Sequence, residues 1–426
     1  MSISKKTIFP IIKSAVFYMM LVFLFLRAEA FRFDTAVGTL SLTSARTLIA
    51  VYLVLFLPSA WSVLRERLKD ARLLTLMLVI SFVLIVISSL IFLFNETYFS
   101  FEPLFVVAVY FLFFLSAQEE FWTKRWNKIV WIFTACFLLV TTSNLISHFF
   151  KSISSIVEEY PFWPGKNMFA VFLFIGIFFL LDETFRAHQK EKKYLLIPVV
   201  LLGFINLLSA YSRAALMAFV GGSIFFVFFL KGKAKLAGVI FILAVIVLGS
   251  LTPGVRERVL EAVSMKDYNT RERVAIWKGT IKMIGERPLL GVGAGNFSKV
   301  FFERSQDFPF IKVEERKKNY QSHNLFLQIA SESGLPAALM LLCVYLSLFF
   351  RYLKSSLKGH SHIGLVCIMV SFFLYSFFDT TYNARFTHAS MYHINIIMLI
   401  FLARIFREVT LCRENQRAVC KDEERT

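Results

Sequence analysis

Three residues of this chain, His323, Arg213 and Arg273, combine a reactive or permanently charged side chain with a setting that does not ordinarily tolerate one. Arg213 is the only charge in the 37 residues from Tyr194 to Leu230, an apolar run that turns through Ser209-Ala-Tyr211-Ser212. A guanidinium at such a place either snorkels to lipid head groups or serves an anion, and lone ionisable residues there are functional by default. Arg273 lies in the stretch 271–284 (RERVAIWKGTIKMI), which reads as an amphipathic helix. On that wheel Arg271, Lys278 and Lys282 gather on one face, while Val274, Ile276, Trp277, Ile281, Met283 and Ile284 spread over the other. Arg273 falls in the middle of the apolar face, so it needs an anion or a carboxylate such as Glu261, Glu272 or Asp379. His323 follows Ser322, which reads as the N-cap of a helix with the imidazole in its first turn. The positive helix end there favours a neutral ring that can accept a proton. Two guanidiniums and a neutral base suit displacement of an anionic leaving group, because arginine binds phosphates bidentately while histidine takes the nucleophile's proton.

The elements that must carry these residues are apolar. Of 426 residues 57% are hydrophobic, 50 are Phe, and the mean hydropathy is +0.64, which excludes a soluble domain of this length. The pattern predicts an all-α polytopic membrane protein with about twelve transmembrane helices, near 8–26, 38–60, 73–94, 99–117, 129–147, 167–182, 194–211, 213–230, 236–252, 334–350, 362–379 and 388–404. Lys and Arg crowd alternate short loops, at Arg65–Arg72, Lys124–Lys128, Arg186–Lys193, Lys231–Lys235 and Arg351–Lys358, so both termini are expected in the cytoplasm. The organisation expected is helices 1–9 over 1–252, a periplasmic loop with active-site helices over 253–322, helices 10–12 over 323–407 and a cytoplasmic tail over 408–426. The loop holds 14 Lys and Arg against 9 Asp and Glu, and is long enough to escape the charge rule. The net charge of +18 is therefore mostly topological and no argument for nucleic acid. The first apolar segment lacks a small-residue cleavage site and reads as a retained span. The five cysteines lie in spans or the tail, with no CxxC spacing and no disulfide framework.

Within the loop, Pro288-Leu-Leu-Gly291-Val-Gly293-Ala-Gly295 has G-x-G-x-G spacing and lacks the Gly-Lys-Ser/Thr ending of a phosphate loop, so it reads as a structural turn. Of the acidic residues outside the cytoplasm, Glu29 and Asp34 are single and Glu158-Glu159 adjacent; none makes a clustered metal motif, and no metal or other cofactor is expected.

Ser212-Arg213-Ala214, then Arg273-x-x-x-Trp277 with Pro288-Leu-Leu-Gly291-Val-Gly293, then His323-Asn324 with Gly334 beyond, resembles the O-antigen ligase family, whose superfamily includes O-antigen polymerases and some protein O-oligosaccharyltransferases. The resemblance is strongest over about 200–340. It implies a GT-C-like fold in the bacterial inner membrane, with a periplasm-facing site that takes a glycan from undecaprenyl diphosphate and passes it to a sugar hydroxyl of lipid A-core. By the same resemblance Arg213 and Arg273 hold the donor diphosphate, His323 is the base, and Asn324, Asp379 and Arg385 support the site. Lys166, in Tyr160-Pro-Phe-Trp163-Pro-Gly-Lys166, is a further candidate for the diphosphate. Direct attack predicts inversion without a metal. A polymerase of O-antigen or exopolysaccharide repeats is the alternative within that chemistry. A lipid-linked sugar transporter is the alternative outside it; it calls for charges near mid-span, and the main candidates within spans, Lys13 and Arg46, both lie near predicted ends.

Overall fold

A computed structural model describes residues 5–26, 33–35, 38–40, 44–95, 102–151, 163, 165–187, 189–251, 268–304, 320–357, 363–380 and 394–408. It shows a polytopic α-helical membrane protein. A helix covers most of each expected span: α1 (Lys5–Leu26), α2 (Ser44–Asp70), α3 (Arg72–Asn95), α4 (Glu102–Ser116), then beyond the short α5 (Glu120–Thr123), α6 (Trp126–Lys151), α7 (Lys166–Arg186), α8 (Lys190–Ser209), α9 (Arg213–Phe229) and α10 (Gly232–Leu251). After the loop helices α11 (Tyr268–Glu286), α12 (Phe297–Arg304) and α13 (Leu325–Ser333) come α14 (Leu335–Leu357), α15 (Ile363–Tyr375) and α16 (394–408). Among the described residues seven helices are long and apolar enough to cross a bilayer, and α9 and α15 are shorter apolar helices. Two three-residue strands, Phe33–Thr35 and Gly38–Leu40, pair antiparallel between α1 and α2.

Helices are the only open-ended structures that satisfy their own backbone in lipid, and the hydroxyls here follow the same rule. Ser81, Thr134, Thr141, Thr184 and Ser356 each donate to the carbonyl four residues back.

The chain divides into two compact units. The first comprises 1–72, 108–210 and 389–426. Its centre is α7, 89% buried over its apolar stretch, which packs against α8. Trp163 is fully buried just ahead of α7, stacked on Phe172 with its indole N–H donating to the Phe25 carbonyl. One end of this unit is tied by polar contacts: Lys13 pairs with Glu119, Arg125 donates to Ser14, and Arg407 donates to the Gln118 carbonyl.

The second unit comprises 73–107 and 211–388. Here α9 packs along α15, and α13 continues through Gly334 into α14. The helix α11 is longer than expected but faces largely as its pattern required: Ile276, Met283 and Ile284 are buried, while Arg271, Lys278 and Lys282 are exposed. Ile281 departs from that reading. It is 59% exposed, because it lies one residue before Lys282 and shares the outer side of the turn.

Candidate active site

The loop before α13 carries His323, and its local structure differs from the sequence expectation. Ser322 is not the N-cap. Asn324 is: its backbone is extended, and its side-chain oxygen accepts from the N–H groups of Phe326 and Leu327, both at 3.0 Å. Ser322 instead takes a buried bridging place, its hydroxyl donating to the Asn324 carbonyl at 2.6 Å and its N–H to Gln328 Oε1 at 2.8 Å. His323 thus stands outside the helix, in the left-handed region at φ 49°. The sequence could not separate Ser322 from Asn324, two residues on, as the cap, since both residue types serve.

Outside the helix, a carboxylate sets the tautomer of the imidazole. His323 Nδ1 lies 3.0 Å from Asp379 Oδ1. The carboxylate side chain is 5% exposed and the imidazole 35%. An ionised Asp379 accepts, so Nδ1 carries the proton and Nε2 is left as the acceptor. Asp379 lies beyond the end of α15. Burial works to raise its pKa, but the His323 hydrogen bond and charge, the Arg273 guanidinium and the Tyr375 hydroxyl together hold it below the ordinary carboxylate value.

Several contacts hold His323 in its unusual conformation. The Trp277 indole N–H donates to the Ser322 carbonyl at 2.8 Å, tying the helix of Arg273 to the residue before the histidine. The Leu325 N–H donates to the Ser376 carbonyl at 2.8 Å, and the Asn324 amide donates to the Phe377 carbonyl at 3.3 Å. A left-handed non-glycine residue costs of order 1–3 kcal/mol, and persists only where its surroundings over-determine it. Tyr211, two residues before Arg213, is the other such residue among those described, at φ 49°.

The glycine-rich turn serves as a backbone clamp on α13. The N–H groups of Val292 and Gly293 donate to the carbonyls of Ser331 and Glu332, both at 2.8 Å, and the Leu335 N–H donates to the Pro288 carbonyl at 2.8 Å. Ser88 on α3 donates to the carbonyls of Leu290 and Glu332. Those amides are spent on carbonyls, so they do not form a phosphate cradle. Gly291 (φ 66°) is required by contact as well as conformation: a Cβ there would meet the Ser331 carbonyl oxygen at 2.5 Å.

The structure brings His323, Asn324, Asp379 and Arg273 together in the second unit. Arg273 is half-buried on the inner side of α11, and its charge acts on Asp379, one of the three carboxylates weighed for it. Arg213 is half-buried at the first residue of α9, the helix that packs along α15. Lys166 is exposed at the start of α7 and belongs to the other unit. Arg385 lies outside the described residues, as do Glu158, Glu159 and the side chains of Glu29 and Asp34. Sequence reasoning missed Tyr375, whose hydroxyl donates to Asp379 Oδ2 at 3.0 Å. The available signal was its place four residues before the aspartate. No curated protein matches the chain. Residues 198–342, which include Arg213, Arg273, His323 and Asn324 but neither Lys166 nor Asp379, match the family model described as O-antigen ligase, and this supports the O-antigen ligase family.

Proposed function

We propose that this protein is an O-antigen ligase, transferring a glycan from undecaprenyl diphosphate to a sugar hydroxyl of lipid A-core at the periplasmic face of the bacterial inner membrane. The observation that carries the reading is the His323–Asp379 pair, with a buried carboxylate on Nδ1 and a partly exposed ring. The acceptor hydroxyl attacks the anomeric carbon while Nε2 of His323 takes its proton. The bond from that carbon to the diphosphate oxygen breaks, and undecaprenyl diphosphate leaves with both electrons. Arg213 and Arg273 neutralise the departing charge, and Asn324 and Arg385 support the site. Asp379 keeps the proton on Nδ1 and stabilises the imidazolium that forms. Proton acceptance of this kind contributes ~10²–10⁴-fold. A single in-line displacement inverts the anomeric centre and calls for neither a covalent intermediate nor a metal.

The arrangement assumed has twelve spans of GT-C-like type, both termini cytoplasmic, and 253–322 as the periplasmic loop. Polymerisation of O-antigen or exopolysaccharide units would use the same diphosphate site with a lipid-linked acceptor, and the matched family covers that activity too. The transport reading has less support. Lys13, one of its two charges, is answered by Glu119, while the Arg46 side chain lies outside the described residues.

The test is transfer by purified protein with EDTA, offered lipid A-core and undecaprenyl-diphosphate glycan together. Product on lipid A-core, lost in Arg213→Ala, Arg273→Ala and His323→Ala, is the expected result. Longer lipid-linked glycan would make it a polymerase. A preparation that binds donor and forms neither product would overturn transfer altogether.

A further inference from the structure

Asp379 has an oxygen that His323 does not use. Oδ1 lies 3.0 Å from His323 Nδ1 and accepts from the Thr380 N–H at 2.9 Å. Oδ2 accepts from the Tyr375 hydroxyl at 3.0 Å. Tyr375 is fully buried at the last residue of α15, one turn ahead of the aspartate. A carboxylate held at one oxygen can rotate about its last bond; one held at both oxygens, from two directions, cannot do so without breaking a buried hydrogen bond.

We infer that Tyr375 is a positioning residue for proton transfer at His323, acting through Asp379: its hydroxyl fixes the carboxylate in the plane that meets Nδ1 and draws off part of its negative charge. This rests on the glycosyl-transfer reading in which His323 is the base. Two consequences oppose each other. Fixing the carboxylate favours the productive tautomer and ring orientation of His323. Sharing the carboxylate's charge reduces the negative charge that faces the imidazolium when it forms. Among the described residues, the charged and titratable groups acting on the pair come from two packed elements: Arg273 on α11, whose positive charge acts on both Asp379 and Tyr375, and Tyr375 itself on α15. Arg273 pulls in the same sense as the tyrosine. Of the two, the hydroxyl supplies the directional contact.

A tyrosine needed only for packing would act differently. The buried ring would account for folding, and removing the hydroxyl would scale activity by one factor at every pH. The test is therefore kcat/KM against pH for wild type, Tyr375→Phe and Asp379→Asn. In Tyr375→Phe the acid limb is expected to move to higher pH by about half a unit to one unit, with a plateau lower by about three- to tenfold and an unchanged KM for the lipid-linked donor. In Asp379→Asn the acid limb moves the opposite way, because a neutral amide no longer stabilises the imidazolium. An acid limb that stays in place in Tyr375→Phe, whatever the plateau, overturns the proposal. Should wild type transfer glycan to no acceptor, the glycosyl-transfer reading fails on its own. The role of the hydroxyl is then still decided by ¹⁵N spectra of histidine-labelled protein, with His323→Gln assigning the signal. Titration of His323 at higher pH in Tyr375→Phe than in wild type supports the link through Asp379, and identical titrations refute it.

Discussion

Each unit of the molecule contains a buried acid–base pair, and the two are built to different ends. In the first unit Lys13 sets its ammonium 2.9 and 2.8 Å from the two oxygens of Glu119, with Ser59 adding a hydroxyl at 3.4 Å and the Phe121 ring close beneath. Both side chains are mostly enclosed, 9% and 19% exposed, and Lys13 lies within regular helix. In the second unit the acid is buried more deeply, at 5% exposed, but the base is 35% exposed, and its backbone is held in a left-handed conformation. A pair that closes on itself joins helices. A pair that buries its acid and presents its base leaves the base poised toward something outside the pair. Both left-handed non-glycine residues among those described fall in this second unit, beside Arg213 and at His323. Observed strain at such places is a pointer to function.

The contrast can be broken most sharply at the exposed base. His323→Ala is expected to lower the transfer rate of the folded protein by ~10²–10⁴-fold, measured on material whose folded fraction is set by thermal unfolding, since the imidazole is the group that takes the proton. Comparable rates for wild type and variant would remove the functional half of the comparison. Asp379→Asn keeps the imidazole and loses the charge behind it, so a smaller loss of about ten- to a hundredfold is expected in a kcat assay.

The closed pair predicts the reverse pattern. Lys13→Met leaves Glu119 without its main partner, and should lower stability by about 3–5 kcal/mol with transfer by the folded fraction unchanged. A double variant with Glu119→Leu should recover much of that loss, read by the same thermal unfolding curves. Transfer that fell with Lys13→Met in fully folded protein would mean that the first pair also serves the reaction.

Smaller effects sharpen the account. Trp277→Phe removes one hydrogen bond to the Ser322 carbonyl, worth about 1 kcal/mol, and should slow transfer by about fivefold without changing its pH dependence. The weakest effect concerns acid stability. The folded state holds the pKa of Asp379 below its unfolded value, so its contribution is complete above the unfolded value, near 4, and disappears as pH falls through the folded one. Acid unfolding of Asp379→Asn should therefore lose less stability than wild type over that interval, measured by equilibrium unfolding at stepped pH.

Much of this was legible in the chain itself. A lone Arg213 in 37 apolar residues, and an Arg273 on the wrong face of an amphipathic wheel, are local conflicts between charge and pattern, and such conflicts are visible without a fold. The inward placement of Arg273 followed from periodicity alone, and so did the outward placement of Arg271, Lys278 and Lys282. What was not legible depended on distant partners. Asp379 was one of three carboxylates weighed for Arg273 and a supporting residue by resemblance, and neither reading foretold its hydrogen bonds with His323, Tyr375 and Thr380. The cap of α13 moved by two residues, from Ser322 to Asn324, because the Ser322 hydroxyl is engaged with the Asn324 backbone while the Asn324 side chain accepts from Phe326 and Leu327.

The sequence by itself determined the class of solvent, the helices and the charges that do not belong among them, because hydropathy and helical period are properties of neighbours along the chain. Only the tertiary structure decided which acid meets which base. Asp379 and His323 are 56 residues apart, and no periodicity carries over such a separation. It also decided that the histidine stands outside its helix, since a strained backbone is set by the contacts that enclose it: the Trp277 indole on one side and the turn after α15 on the other.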